Sequence, residues 1–163
     1  MNRFATATAA LAVATCLFPD LGLQAAAAPD LRALPMQFEL WTEGPAQGCG
    51  NHCRTWISAA GAITADTPRD FEAFARGQKL DGLAVALDSD GGSVLGALAL
   101  GRTIRRLGMT TTVGKTVALS GSDHGRRRGR LTPQAYCESM CVFLLLSGKT
   151  RYVPEGAHIR VLA

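Results

Sequence analysis

Two stretches of this chain hold residue types that could do chemistry. One is a glycine-rich acidic turn at residues 88–93, Asp-Ser-Asp-Gly-Gly-Ser, and the other is Ser139 at the head of an apolar run that ends at Leu146. The apolar run predicts a helix buried on all sides, with Ser139 at an N-terminus whose unpaired N–H groups and dipole attract negative charge. Taken alone, Ser139 is better explained by a helix-capping role, and Gly91–Gly92 by a tight turn.

The turn must be positioned by the elements on either side of it. Residues 83–87 are consecutive apolar residues, which predicts a strand buried on both faces, as in a parallel sheet. Ser93 is placed to cap a helix that runs to about Leu107, and Gly108 is a natural residue to end it. The turn therefore lies at the carboxyl end of a strand, where open α/β sheets place their sites.

Strand and helix patterns alternate on both sides of this unit. Residues 54–63 predict a strand, and Thr67 is placed to cap a helix in which Asp70 completes a capping box. Residues 110–113 are rich in β-branched side chains and predict a third strand. The order β, α, β, α, β predicts an α/β fold with a mostly parallel sheet and right-handed crossovers.

Residues 114–134 are rich in Gly, Ser and Arg, which predicts a long loop. The loop holds catalytic residue types with no fixed geometry, namely Ser120, Ser122, Asp123 and His124. It also holds much of the excess positive charge of a chain with a net charge of +4, in Arg126, Arg127, Arg128 and Arg130. Because no aromatic residues are interleaved with these arginines, a solvated loop is favoured over a nucleic-acid site, and no nucleic-acid partner is expected.

The N-terminus has the features of a secretory signal. A short basic start is followed by an apolar, alanine-rich stretch at residues 4–18 and by small residues at 23–28. We predict that residues 1–28 are removed and that the protein is periplasmic or secreted, with no stable membrane span after cleavage, because the apolar stretch is short. Cys16 leaves lipid attachment as a less favoured alternative, since Thr15 before it is larger than the residue such sites usually carry.

Four cysteines remain after the predicted signal: Cys49, Cys53, Cys137 and Cys141. An even number of cysteines in an exported protein predicts disulfides, and four cysteines allow three pairings. A metal site at Cys49, His52 and Cys53 is the alternative, but the spacing matches no common zinc pattern well, so no metal is expected. If Cys137 and Cys141 lie on one helical turn, they are not expected to bond to each other.

Together, the two chemical stretches resemble the ClpP-like serine peptidases of the ClpP/crotonase superfamily, and among them exported bacterial members. Residues 88–93 are similar to the Asn-Ser-Pro-Gly-Gly turn of that family, with Asp88 and Asp90 in place of Asn and Pro. Ser139 and Met140 are similar to its Ala-Ser-Met nucleophile motif. The resemblance covers about residues 54–163.

The resemblance implies a ClpP/crotonase-like ββα-type superhelical spiral with a mostly parallel sheet, truncated at the C-terminus. On this basis we divide the chain into a signal peptide at residues 1–28, a lead-in segment at 29–48 and a partial domain at 49–163. We also expect apolar sheet or helix surface to be left uncovered, with marginal stability unless a partner or a second copy of the chain covers it.

The resemblance also implies a mechanism. Ser139 would be the nucleophile in hydrolysis of a peptide or protein substrate, and the N–H of Met140, with that of Gly91 or Gly92, would bind the oxyanion. No cofactor is implied. The catalytic His of the family falls on Leu162 in this chain, so we expect impaired catalysis.

His158 and Lys149 are candidates to replace that histidine as the base, but neither is well placed. His158 is four residues from Leu162, which along a strand is about 13 Å, and Lys149 follows the far end of the predicted nucleophile helix. A non-catalytic peptide-binding or assembly module of the same fold is therefore the alternative function. An acyl-CoA enzyme of the crotonase branch is a third hypothesis, against which the predicted export argues.

Overall fold

Strands and helices alternate along residues 30–44, 52–119 and 127–161, the parts of the chain that the computed structural model describes. Three helices occur in these ranges: α1 (Thr67–Ala75), α2 (Val94–Arg106) and α3 (Cys141–Ser147). The main sheet consists of β1 (Gln37–Glu43), β2 (Thr55–Ala60), β3 (Ala84–Asp88), β4 (Thr110–Val113), β5 (Lys115–Ala118), β6 (Arg128–Thr132) and β8 (Thr150–Tyr152). Two short strands, β7 (Tyr136–Glu138) and β9 (His158–Arg160), form a separate parallel pair.

The main sheet is mixed but mostly parallel, in the order β5-β6-β1-β2-β3-β4-β8. Four of its six neighbouring pairs are parallel, and β1 with β2 and β5 with β6 are antiparallel. The α/β class and the mostly parallel sheet predicted from the sequence are confirmed. The central strands β2, β3 and β4 place their carboxyl ends at one edge, where the turn at residues 88–93 begins.

The helices cover one face of the sheet, and the alternation of side chains along each strand decides which residues they bury. Ile57, Val85 and Val113 point to this face and are at most 1% exposed. They pack in one cluster with Phe71 of α1, Leu100 of α2 and other helix residues. The opposite face carries a smaller cluster of Trp41, Trp56 and Ala86.

Helix α2 matches its prediction and holds the turn at residues 88–93 in place. The hydroxyl of Ser93 accepts a hydrogen bond from the N–H of Gly96 at 3.1 Å, and the helix begins at the next residue. Gly108 follows the helix with φ +62°, a conformation that glycine adopts without steric cost.

The predicted cap of α1 is wrong. Asp66, not Thr67, precedes the helix, and no side chain caps it. The hydroxyl of Thr67 is fully buried and accepts instead from the N–H of Thr64, so it stabilises the turn before the helix. The predicted capping box with Asp70 is therefore absent.

The predicted long loop is also wrong, because residues 114–134 include strands β5 and β6. Two of the arginines contact β1: Arg127 pairs with Glu39, and Arg128 donates to the carbonyl oxygen of Glu43 at 2.9 Å. Strand β6 thus extends the sheet next to β1. The arginine-rich sequence of this segment has no apolar alternation from which a strand could be predicted. The candidate residues Ser120, Ser122, Asp123, His124 and Arg126 lie outside the described residues.

Helix α3 is buried on one side only, contrary to the prediction. Leu144 and Leu145 are at most 4% exposed, whereas Phe143 and Leu146 are 48% and 55% exposed. The reason is that α3 packs against α2 and β4 with a single face. None of the helices in the described ranges is long and apolar enough to span a membrane.

Candidate functional site

The short strand β7, which leads into Ser139, is attached to the end of β3. The N–H of Ser89 donates to the carbonyl of Tyr136 at 2.8 Å, and the carbonyl of Ser89 accepts from the N–H of Glu138 at 3.0 Å. The carboxylate of Asp88 accepts from the N–H of Tyr136 at 3.0 Å. These three hydrogen bonds bring the segment before Ser139 to the segment before the glycines.

Gly91 contacts the turn that contains Ser139. A Cβ placed on Gly91 would lie 2.7 Å from the carbonyl oxygen of Glu138, 2.8 Å from the Cβ of Ser139 and 2.9 Å from the nitrogen of Met140. Gly91 also has φ +93°, which side chains rarely adopt. Only glycine fits here, and the two stretches that carry the predicted chemistry are in contact.

Ser139 has an unusual backbone conformation. Its φ of +51° makes it the only non-glycine residue with a positive φ in the described part of the chain. Its N–H donates to the carbonyl of Arg160 at 2.8 Å, and its carbonyl accepts from Val142 at 3.1 Å. Left-handed conformations of such residues cost about 1–3 kcal/mol and concentrate at functional sites.

Ser139 does not cap α3, because Met140 precedes the helix and no side chain bonds its first turn. The helix-capping explanation of this serine is therefore wrong. The sequence strand–serine–helix, with strained backbone at the serine, is the arrangement that presents a nucleophilic serine in the α/β-hydrolases. Ser139 is half-buried, and its hydroxyl makes no hydrogen bond to any described residue.

The backbone N–H groups of Gly92 and Met140 lack acceptors among the described residues. The N–H of Gly91 is already bound, since it donates to the buried hydroxyl of Ser89 at 3.1 Å. Ile63 accepts from the N–H of Ser93 and donates to the carbonyl of Gly91, so the N–H of Gly92 points to the opposite side of the turn. Of the two glycines predicted as oxyanion donors, Gly92 is the one with a free N–H.

A disulfide joins Cys137 and Cys141, on either side of Ser139, with a Cα–Cα distance of 5.1 Å. The prediction of disulfides is confirmed for this pair. The two cysteines do not share a helical turn, the condition under which they were not expected to bond, because Cys137 belongs to β7 and Cys141 begins α3, with the turn at Ser139 between them. Cys53 is disulfide-bonded as well, and Cys49 lies outside the described residues.

Asp88 carries a buried carboxyl group at the edge of this site, and it is 6% exposed. Burial raises the pKa of the Asp88 carboxyl above its ordinary value, and the hydrogen bond from Tyr136 together with the charges of Arg32 and Lys115 opposes that shift. In the sequence, Asp88 stands out only because it replaces the Asn of the ClpP-like Asn-Ser-Pro-Gly-Gly turn. An acidic residue at the end of a fully buried strand is the signal that points to its structural role.

Arg32, in the lead-in segment, contacts the site, although no sequence pattern near it indicates this. Its guanidinium lies 4.3 Å from the ring centroid of Tyr136 and donates to the carboxylate of Asp90 at 2.9 Å. The ring of His158 also stacks on Tyr136, with centroids 4.7 Å apart. His158 therefore pairs with Tyr136 and not with Ser139, and Leu162 lies outside the described residues.

No group of three or more His, Cys, Asp or Glu side chains in the described ranges is arranged to hold a metal ion. Lys149 follows the end of α3 that is opposite to Ser139. No protein-family model, curated protein or solved structure matches this chain. The site consists of a strained serine at residue 139, a glycine turn in contact with it, and the N–H groups of Gly92 and Met140, which have no acceptor among the described residues.

Proposed function

We propose that this protein is a serine peptidase-like hydrolase in which the hydroxyl of Ser139 attacks the carbonyl of a peptide bond. The observation that carries the proposal is the contact between Gly91 and the left-handed turn at Ser139. A connection between a strand and a helix does not require a serine in a left-handed conformation or a close contact with a glycine.

In the proposed mechanism, the N–H groups of Met140 and Gly92 bind the oxyanion of the tetrahedral intermediate. Both N–H groups are free of acceptors among the described residues, and Met140 also lies at the positive end of α3. An oxyanion-hole donor typically lowers the barrier by about 3–4 kcal/mol. Because these donors belong to the backbone, they are already in place when the negative charge develops.

Ser139 also needs a proton acceptor, since a neutral hydroxyl is a weak nucleophile. In ClpP-like peptidases the proton acceptor is a histidine, and the resemblance places it at residue 162, which is a leucine here. We therefore propose slow hydrolysis in which water accepts the proton of Ser139 and donates one to the leaving amine, and a second water molecule then releases the acyl group from Ser139. The oxyanion donors support both steps, and such donors alone leave about 10³–10⁴-fold catalysis over water in related chemistry.

The finer fold and the location belong to the same proposal. The mostly parallel sheet, together with a serine-led helix and the β7–β9 pair, is compatible with a ClpP/crotonase-like spiral. Disulfides persist in oxidising compartments. The pair Cys137–Cys141 thus supports export to the periplasm or beyond.

A non-catalytic peptide-binding module is the second candidate, and it is favoured by the hydroxyl of Ser139, which has no hydrogen-bond partner among the described residues. Without a base, the same two N–H groups could hold the carbonyl or the C-terminal carboxylate of a bound peptide.

Exposed apolar residues on α2 and α3, among them Leu95, Leu98 and Phe143, leave room for self-association in either case.

A fluorophosphonate probe, which phosphonylates activated serines, distinguishes the two functions. We expect slow labelling of the full chain that disappears in Ser139→Ala. Ser147→Ala is the matched control, because Ser147 lies at the other end of the same helix and its labelling should equal that of the unmodified chain. Absence of labelling in the unmodified protein would reject the hydrolase and favour the binding module.

A further inference from the structure

We propose that the disulfide between Cys137 and Cys141 is a positioning crosslink that holds Ser139 and the N–H of Met140 against the glycine turn. The inference rests on the proposed function, which it deepens by naming what keeps the site assembled. Its two cysteines are the residues directly before Glu138 and directly after Met140. The crosslink therefore closes a short loop whose centre is Ser139.

The elements on either side of Ser139 are too short to hold its conformation by themselves. Strand β7 has three residues and α3 has seven, so α3 is stabilised mainly by the packing of its buried face against α2 and β4. That packing does not include the turn at Ser139. The disulfide ties the two elements directly, and both of its cysteines are fully buried. Its position therefore fixes the angle at which the helix leaves the strand.

The backbone of Ser139 supplies the reason why such a tie is needed. A non-glycine residue at φ +51° is higher in energy than one at a negative φ, so an untied turn tends to relax. The hydrogen bond from Ser139 to Arg160 opposes relaxation, but it comes from β9, an exposed three-residue strand. Relaxation would rotate the N–H of Met140 away from Gly91, which that nitrogen now contacts.

A positioning crosslink should affect the chemical step of labelling, whereas a disulfide that only stabilises the fold should not. In the full-length variant Cys137→Ala/Cys141→Ala, we expect the maximal rate of fluorophosphonate labelling to fall by about tenfold to a hundredfold, as for a misplaced oxyanion donor. The probe concentration at half-maximal rate should change less than twofold, since the outer surface of the site remains. Cys53→Ala removes a disulfide elsewhere, and it should lower the melting temperature without changing the labelling rate.

A measurement that needs no chemistry keeps this inference separate from the proposed function. Backbone ¹³C and ¹⁵N chemical shifts of Ser139 and Met140 report the left-handed turn directly. We expect them to move toward values typical of negative φ in the double variant and to stay unchanged in Cys53→Ala. If the unmodified protein is not labelled at all, the hydrolase fails while these shifts still decide the role of the crosslink.

Should the double variant fail to fold, the Cys53→Ala variant, which lacks the other disulfide, can be reduced with a phosphine and reoxidised. The shifts of Ser139 and Met140 should move on reduction and return on reoxidation. A folded protein without the crosslink that keeps both the labelling rate and these shifts would overturn the inference. The disulfide would then contribute only to global stability.

Discussion

The Cβ of Ser139 lies 2.8 Å from the point that a Cβ on Gly91 would occupy. This distance is shorter than any contact between real Cβ atoms, so the two backbones meet at a place where only glycine is tolerated. The turn at residues 88–93 and the serine-led helix are separated by more than forty residues in sequence. Their contact makes them parts of one site.

The first prediction concerns Gly91→Ala. The new methyl group would collide with the backbone of Glu138 and Met140 and would be held at φ +93°. An incompatible φ alone costs about 1 kcal/mol in the free energy of unfolding, and we expect the collision to make the loss clearly larger. We also expect Gly91→Ala to abolish fluorophosphonate labelling at Ser139. Denaturant unfolding followed by fluorescence measures the free energy of unfolding.

Gly82→Ala is the matched control for this prediction. Gly82 has φ +73°, yet no atom lies within 4 Å of its added Cβ, so only the backbone cost applies. If the two alanine variants lose the same free energy of unfolding, the close contact between Gly91 and Ser139 is not present in solution.

The second prediction concerns the pH dependence that Asp88 brings. Its folded-state pKa is raised by burial, so the folded protein holds this proton more tightly than the unfolded chain does. Its contribution to stability is therefore present at low pH and is lost as the pH rises through the folded pKa. Asp88→Asn keeps an oxygen that can accept from Tyr136 but never ionises.

We thus expect Asp88→Asn to raise the melting temperature at pH 7 and to have a progressively smaller effect as the solution is acidified. Thermal unfolding at several pH values tests this. Asp81→Asn, at an exposed position, controls for the loss of one negative charge. A stabilisation by Asp88→Asn that is the same at all pH values would show that the buried carboxyl is not the cause.

The third prediction tests which face of α3 is packed. Leu144 is fully buried and Leu146 is 55% exposed, although they are two residues apart on the same helix. Leu144→Ala should cost about 2–5 kcal/mol of unfolding free energy, and Leu146→Ala should stay within about 0.5 kcal/mol. Equal losses would indicate that another surface covers Leu146 in solution.

The central unit of the fold could be predicted because its signals are local. The apolar strand β3, the capping side chain of Ser93 and the terminal Gly108 all agree with one another, and the structure has each of them. In such a unit, hydrophobic burial and backbone hydrogen bonding favour the same conformation.

The features that were missed depend on contacts between distant residues. Strand β6 is held by pairing with β1 and β5, not by an apolar pattern of its own. The bond between Cys137 and Cys141 depends on a turn at Ser139 that no propensity scale assigns to serine. Arg32 reaches Tyr136 across more than a hundred residues of sequence, and nothing near Arg32 predicts that partner.

The proposed site requires that Ser139 and the N–H groups of Gly92 and Met140 act on the same bound group, the hydroxyl on its electrophilic centre and the N–H groups on the oxygen attached to that centre. The most direct measurement is ¹¹B NMR of a peptidyl boronic acid titrated with the full chain, because boron becomes tetrahedral only when a serine oxygen or hydroxide adds to it. We predict a tetrahedral boron signal, accompanied by amide shift changes at Gly92 and Met140, that is absent with Ser139→Ala. Boron that stays trigonal, or a tetrahedral signal that persists in Ser139→Ala, would contradict the claim.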